Sequence, residues 1–157
     1  MSAKYLEATQ KLGAALFKRG IKGPVVMLNL LHFREVADYS LSPELMPTQP
    51  ISGREAYQKY IDHTLPILEA TGGGMVFLGE GGNFLIGPED EYWHVAMLIR
   101  QNSLEDFVAF TTHQEYLAGL GHRTAALDDS RLLPLVEIEG SKIITGSSKK
   151  ASEFDNM

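Results

Sequence analysis

A chain of 157 residues, 44% hydrophobic and 22% charged, has the apolar material for one buried core and lies far from a disordered composition. Its net charge of −6 opposes phosphate backbones and anionic lipid, and its basic clusters, Lys18-Arg19 and Lys149-Lys150, are too short to reverse that, so neither nucleic acid nor membrane is an expected partner. The lack of cysteine excludes disulfides, thiolate catalysis and thiolate-held metals.

Apolar residues Leu6, Ala8, Leu12, Ala15 and Leu16 recur at helical spacing, which predicts a helix over residues 3–19 stopped by Gly20. Met1 to Gln10 has no apolar signal region, and the apolar run Val25 to Leu31 is too short for a bilayer, so the expected address is the cytoplasm. That run, continued to Phe33, is apolar on both faces and reads as a central strand covered on both sides. Residues Arg34 to Ile51, with Pro43, Pro47 and Pro50, form a long loop, either a lid or interface arm or a surface insertion. Ser52-Gly53-Arg54-Glu55 has the form of a capping box, and the stripe Tyr57, Tyr60, Ile61, Thr64, Leu65, Leu68 follows it to Gly72-Gly73-Gly74, with Pro66 inside the run predicting a kink or break beside His63.

Met75 to Gly79 predicts a second strand, Gly81-Gly82-Asn83 a turn and Phe84-Leu85-Ile86 a short return. Tyr92 to Arg100 alternates strictly, with Trp93, Val95, Met97 and Ile99 on one face and Tyr92, His94, Ala96, Leu98 and Arg100 on the other. Helix starts follow at Ser103 and at Thr112, the latter again in capping-box form, which splits the second helical region in two. Leu132 to Ile138 predicts the last strand, and Pro134 puts it at an edge or a bulge. Residues 140–157 read as a tail, frayed or exchanged with a partner, beyond a single domain over 1–139 whose core spans 24–139.

The order β-α-β-β-α-β describes an α+β ferredoxin-like plait, an antiparallel four-stranded sheet with both helical crossovers on one face, here with an extra N-terminal helix. Strands apolar on both sides leave the second face in need of a cover. A second copy of the chain is the economical one, so a homodimer is expected.

The run Pro24 to Arg34, Trp93 ahead of an apolar strand, Glu115-Tyr116, and the block His122-Arg123-Thr124-Ala125-Ala126-Leu127-Asp128-Asp129-Ser130-Arg131-Leu132 resemble a bacterial family of domains of unknown function, numbered 1330. The resemblance spans Pro24 to Val136, with the His-Arg to Ser-Arg-Leu block its most specific part. It implies membership of the dimeric α/β-barrel superfamily, with the sheets of two ferredoxin-like protomers face to face, and it implies no substrate. Relatives in that superfamily include cofactor-independent monooxygenases, lactone isomerases and haem enzymes, an analogy of fold alone.

Asn29 interrupts an apolar strand, where an unmet amide costs about 1–3 kcal/mol, so a neighbouring loop or a ligand satisfies it. Arg123 shares the stripe of Leu120 and Leu127 and is either paired with Asp128 or Asp129 or a clamp for an anionic ligand. His94 and Arg100 stand on the mixed face of their strand. His63, with Tyr60 one turn earlier, lies beside Pro66, and His122 precedes Arg123. His63, His94 and His122 are the candidates for proton transfer, and Asn29, Tyr60, Arg100 and Arg123 for ligand binding. The five histidines lack a zinc-type spacing, and the glycine runs lack phosphate-loop and dinucleotide signatures, so no metal and no cofactor are expected. The expectation that emerges is a cofactor-independent enzyme acting on a small organic molecule in a cleft between sheet and helices; the alternative is a non-catalytic ligand-binding or structural dimer.

Overall fold

In the computed structural model, which describes residues 3–144, the apolar run after Pro24 forms β1 (Val25–Phe33) at the centre of the sheet. Burial alternates along it without a break, Val25, Met27, Asn29, Leu31 and Phe33 facing inward. β3 (Tyr92–Gln101) pairs antiparallel on one side, with Leu31 opposite Val95 and Val25 opposite Gln101. β4 (Leu127–Leu135) pairs antiparallel on the other, with Asn29 opposite Leu132. β2 (Gly74–Asn83) lies outside β3, giving the order β2-β3-β1-β4.

The crossover from β1 to β2 is α2 (Gly53–Ala70), and that from β3 to β4 is α3 (Leu104–Thr111) followed by α4 (Gln114–Ala126). Tyr57, Tyr60 and Leu68 of α2 and Phe110, Tyr116 and Ala125 of the second crossover meet Leu31, Val95 and Met97 in one apolar cluster. Both crossovers therefore cover the same sheet face, and the chain is an α+β ferredoxin-like plait. Van der Waals contact and loss of apolar surface to water hold the layers together.

The other face is bare. Val26, Leu28 and Leu30 of β1 and Ala96 and Leu98 of β3 are only half-buried there, and Phe77 of β2 and Leu133 of β4 are exposed. β1 is thus central but covered on one side only within the chain.

Several elements depart from what local pattern predicts. The N-terminal helix, α1, is Gln10–Lys18, capped by Thr9, and Gly20 follows it at φ 63°, as a helix stop requires. Residues 3–9 are not helical, because tertiary partners take their backbone groups. The Tyr5 amide donates to Asp129 Oδ1 at 2.8 Å, and the Tyr5 carbonyl accepts from Ser130 Oγ at 2.6 Å. β2 runs through the glycines to Asn83, and Phe84 to Ile86 lie beyond it. A side chain at Gly81 would meet the Trp93 carbonyl at 2.4 Å, so glycine there permits close strand approach and marks no turn.

β4 begins at Leu127, five residues before the predicted Leu132, and ends at Leu135. The polar run Asp128 to Arg131 stays in the strand because its side chains are paired, Asp128 with Lys4 and Asp129 with Arg131. Pro134 does lie on an edge strand. α2 continues through Pro66 because proline removes only one helical donor, and its would-be acceptor belongs to the exposed Asp62. The cap of α4 is His113, whose Nδ1 accepts from the Glu115 amide, while Thr112 bonds back to Val108. The loop 34–51 is fastened down: the Arg34 and Asp38 amides donate to the carbonyls of Ala126 and Ala125, and Tyr39 is buried. A short 3-10 turn, Pro43–Leu45, lies within it. The tail beyond residue 144, with Lys149-Lys150, falls outside the described residues.

Candidate functional site

Between the covered sheet face and the helices lies a cavity of about 390 Å³, at the small end of the range for small-molecule sites. Its walls are mostly apolar, with Met27, Met97 and Ile99 from the sheet, Leu65 and Leu68 from α2 and Phe110 from α3. Residues Leu6 to Ala8 close one side, a consequence of the N-terminal segment lying along β4.

A small set of polar groups punctuates this wall. Asn29, 8% exposed, donates from its amide nitrogen to the Met27 carbonyl at 3.1 Å, so its own strand meets part of its need. Tyr60 and Tyr116 bring their hydroxyls to 3.0 Å across α2 and α4. Tyr57 is buried one turn before Tyr60. Burial pushes its phenol up to about 12 against the pull of Arg123, and burial with the neighbouring phenols holds Tyr60 well above the ordinary tyrosine value. At neutral pH both are therefore hydroxyl donors, not phenolates. Arg123 reaches the cavity from α4 and donates from Nη1 to the Leu6 carbonyl at 2.8 Å. It forms no ion pair with Asp128 or Asp129, whose partners are Lys4 and His32, and Arg131, respectively.

Two further polar groups line the cavity and have no protein partner among the described residues, Thr64 Oγ1 and Gln101 Oε1. Both residues are buried, Gln101 with 1% exposure. An unmet buried hydroxyl or amide oxygen costs about 1–3 kcal/mol, so these are the atoms at which a bound molecule gains most. Tyr57 stands beside Phe33, with ring centroids 5.5 Å apart, whereas Gln101 is level with Val25 at the other end of β1. The cavity's tyrosine and arginine end is thus separated from its amide end along the strand.

Of the residues the sequence nominates, Asn29, Tyr60 and Arg123 converge here. His63, His94, His122 and Arg100 do not line the cavity. His63 lies on the outer side of α2 and α4, its Nε2 at 2.5 Å from the Glu115 carbonyl. His122 Nδ1 meets the Tyr39 hydroxyl at 2.7 Å, and burial, then Lys59 and His63, lowers its pKa. His94 accepts the Phe33 amide on Nδ1 at 2.9 Å, with His32 4.7 Å away between ring centroids; burial first, then His32, lowers its pKa. Arg100 bonds to Asn102 on the bare face. Thr64 and Tyr57 enter the sequence reading only as stripe residues, Tyr116 only within the family resemblance, and Gln101 not at all. The signal for Gln101 is the alternation itself, since Trp93, Val95, Met97 and Ile99 put residue 101 on the same inward face.

Among the described residues no cluster of His, Asp or Glu is placed to hold a metal ion, and no helix is long and apolar enough to cross a membrane. No protein-family model and no curated protein matches the sequence. Among solved structures, the methylated RPA0582 protein is similar at 31% identity and TM-score 0.79, over 88% of this chain and 98% of that one. RPA0582 itself, a protein of unknown function from Rhodopseudomonas palustris, matches at 30% identity and TM-score 0.77, over 88% of this chain and 100% of its own. A dabb family protein with a ferredoxin-like fold from Mesorhizobium loti matches more loosely, at 14% identity and TM-score 0.44 over 74% of this chain and 99% of its own. With nearly a third of its residues identical across almost the whole of that relative, the chain belongs to the family of the Rhodopseudomonas palustris protein RPA0582.

Proposed function

We propose that this protein is a homodimer that binds a small, largely apolar organic molecule in the cavity between sheet and helices. The observation that carries the reading is the pair of buried, unpartnered polar atoms on an otherwise apolar wall, Thr64 Oγ1 and Gln101 Oε1. The bare apolar face supports the second copy, since Val26, Leu28, Leu30 and Leu98 are costly to leave in water. The sequence blocks from Pro24 to Arg34 and from His122 to Leu132 support placing it in the family of domains of unknown function numbered 1330, and a cysteine-free chain suits the cytoplasm.

A cofactor-independent enzyme working in the same cleft is the second reading. The Tyr60–Tyr116 hydroxyl pair favours it, a proton donor kept protonated by burial. Binding without chemistry is the stronger reading because none of the three histidines nominated for proton transfer lines the cavity. The test is a thermal melt with 1-octanol as the probe. At about ten times its Kd, octanol raises Tm by about 3–5 °C in the wild type. Leu65→Trp and Leu120→Trp, each made separately to fill the cavity, abolish the rise. No shift in the wild type, or an equal shift in both filled variants, rejects the site.

A further inference from the structure

Arg123 is the cation on the cavity wall, and among the described residues nothing anionic answers it. The ion pairs among the described residues use other groups: Lys4 with Asp128, Arg54 with Glu80, and Arg131 with Asp129. What the guanidinium does hold is the neutral Leu6 carbonyl, through Nη1, and its fork has no acidic partner among the described residues. The carboxylate among the lining residues is that of Glu7, which is exposed on the N-terminal segment and not within ion-pair distance of Arg123. Tyr57 lines the same cavity close enough to the guanidinium to feel its charge, and its hydroxyl stays protonated and able to donate. Charged side chains withdrawn from water are normally paired, and a guanidinium matches a carboxylate with two parallel hydrogen bonds.

We infer that the molecule bound in this cavity carries a carboxylate, seated on Arg123 and the Tyr57 hydroxyl, with an apolar body against Met97, Ile99 and Leu68. The inference rests on the cavity being a ligand site. A single guanidinium with no lysine among the lining residues suits one negative charge better than a phosphate dianion. The apolar wall beyond the charged end excludes a polyanion, whose second charge would be stranded among methionine and leucine side chains.

Calorimetric titration of the full chain at pH 7.5 with octanoate, 1-octanol and octyl phosphate, equal in chain length, tests the inference. Octanoate is expected to bind about ten- to a hundredfold more tightly than octanol, the margin of a charge-assisted pair of hydrogen bonds. In Arg123→Gln the two are expected to agree within about threefold, through loss of octanoate affinity at constant octanol affinity. Arg123→Lys, which keeps the charge without the fork, retains part of the preference. Equal wild-type affinities, a preference that survives Arg123→Gln, or octyl phosphate binding more tightly than octanoate overturns the carboxylate assignment. The wild-type comparison stands even if a variant fails to fold. Binding of none of the three probes rejects the cavity as a ligand site, which separates that failure from failure of the anion assignment.

Discussion

Thr64 shows how a single atom separates stability from binding. Its hydroxyl lies on the buried side of α2 with no partner among the described residues, so the ligand-free protein bears the desolvation cost of that group. Thr64→Val keeps the branched shape and similar helix propensity while removing the oxygen. The variant is expected to be about 1 kcal/mol more stable in urea denaturation without ligand, and to bind the octyl probes more weakly. A loss of stability would show that the hydroxyl is already satisfied. Thr64 is legible in the sequence as part of an inward stripe, but its lack of a partner is not, because that depends on what α3 and β3 bring opposite it. Arg123 is similar: spacing puts it on the inward stripe, with Asp128 and Asp129 as the nearest acids in sequence. Arg131 takes Asp129 from two residues along β4, and the N-terminal segment's path along that strand brings Lys4 to Asp128.

At the scale of elements, the start of α2 is packed directly against the backbone that leaves β1. Ser52 closes both halves of the capping box with Glu55, a local signal that sequence carries in full. Gly53, the first helical residue, lies against other backbone. A Cβ there would stand 2.3 Å from the Arg34 carbonyl oxygen and 2.6 Å from that of Ala126. Helix propensity alone favours Gly53→Ala by up to about 1 kcal/mol, whereas overpacking costs about 1–3 kcal/mol. Because the obstructing atoms are backbone and cannot rotate away, the clash is expected to win, with the urea midpoint falling by the equivalent of about 1–2 kcal/mol. A midpoint unchanged or raised would show that the junction can yield. The same approach explains the fixed loop 34–51. The Arg34 and Asp38 amides bond to the last carbonyls of α4 and the Ala37 amide to the Ile51 carbonyl, so its proline-rich sequence reads as a free insertion while its backbone is held.

For the whole molecule, the open sheet face decides the oligomeric state. Leu28 lies near the middle of that face, opposite Leu98 on β3 and Leu133 on β4. The wild type is expected to sediment at twice the 17.3 kDa chain mass, and Leu28→Lys at the single-chain mass, with little change in far-UV circular dichroism. A lysine at that site costs nothing in an isolated sheet exposed to water but is buried unpaired if two sheets meet. Sedimentation of the wild type as a monomer at tens of micromolar sinks the dimer. His32, His94 and Arg100 share this face and interrupt its apolar patch, so two facing sheets would have to accommodate them at their edges.

The sequence by itself determined the order of elements, the two alternating faces of β3, the capping box of α2 and the stripe carrying Tyr57, Tyr60 and Thr64. Each of these follows from periodicity or from contacts within a few residues. Only the tertiary structure decided that residues 3–9 leave the helix for β4, that the glycines of β2 belong to a strand, and that Asp128 to Arg131 do as well. In each case a partner more than ten residues away satisfies the backbone or the charge, and local pattern cannot register it. The same reason divides the nominated residues. Asn29, Tyr60 and Arg123 meet because three separate elements fold over one sheet face, while His63, His94 and His122, equally polar in sequence, face outward or toward the bare side.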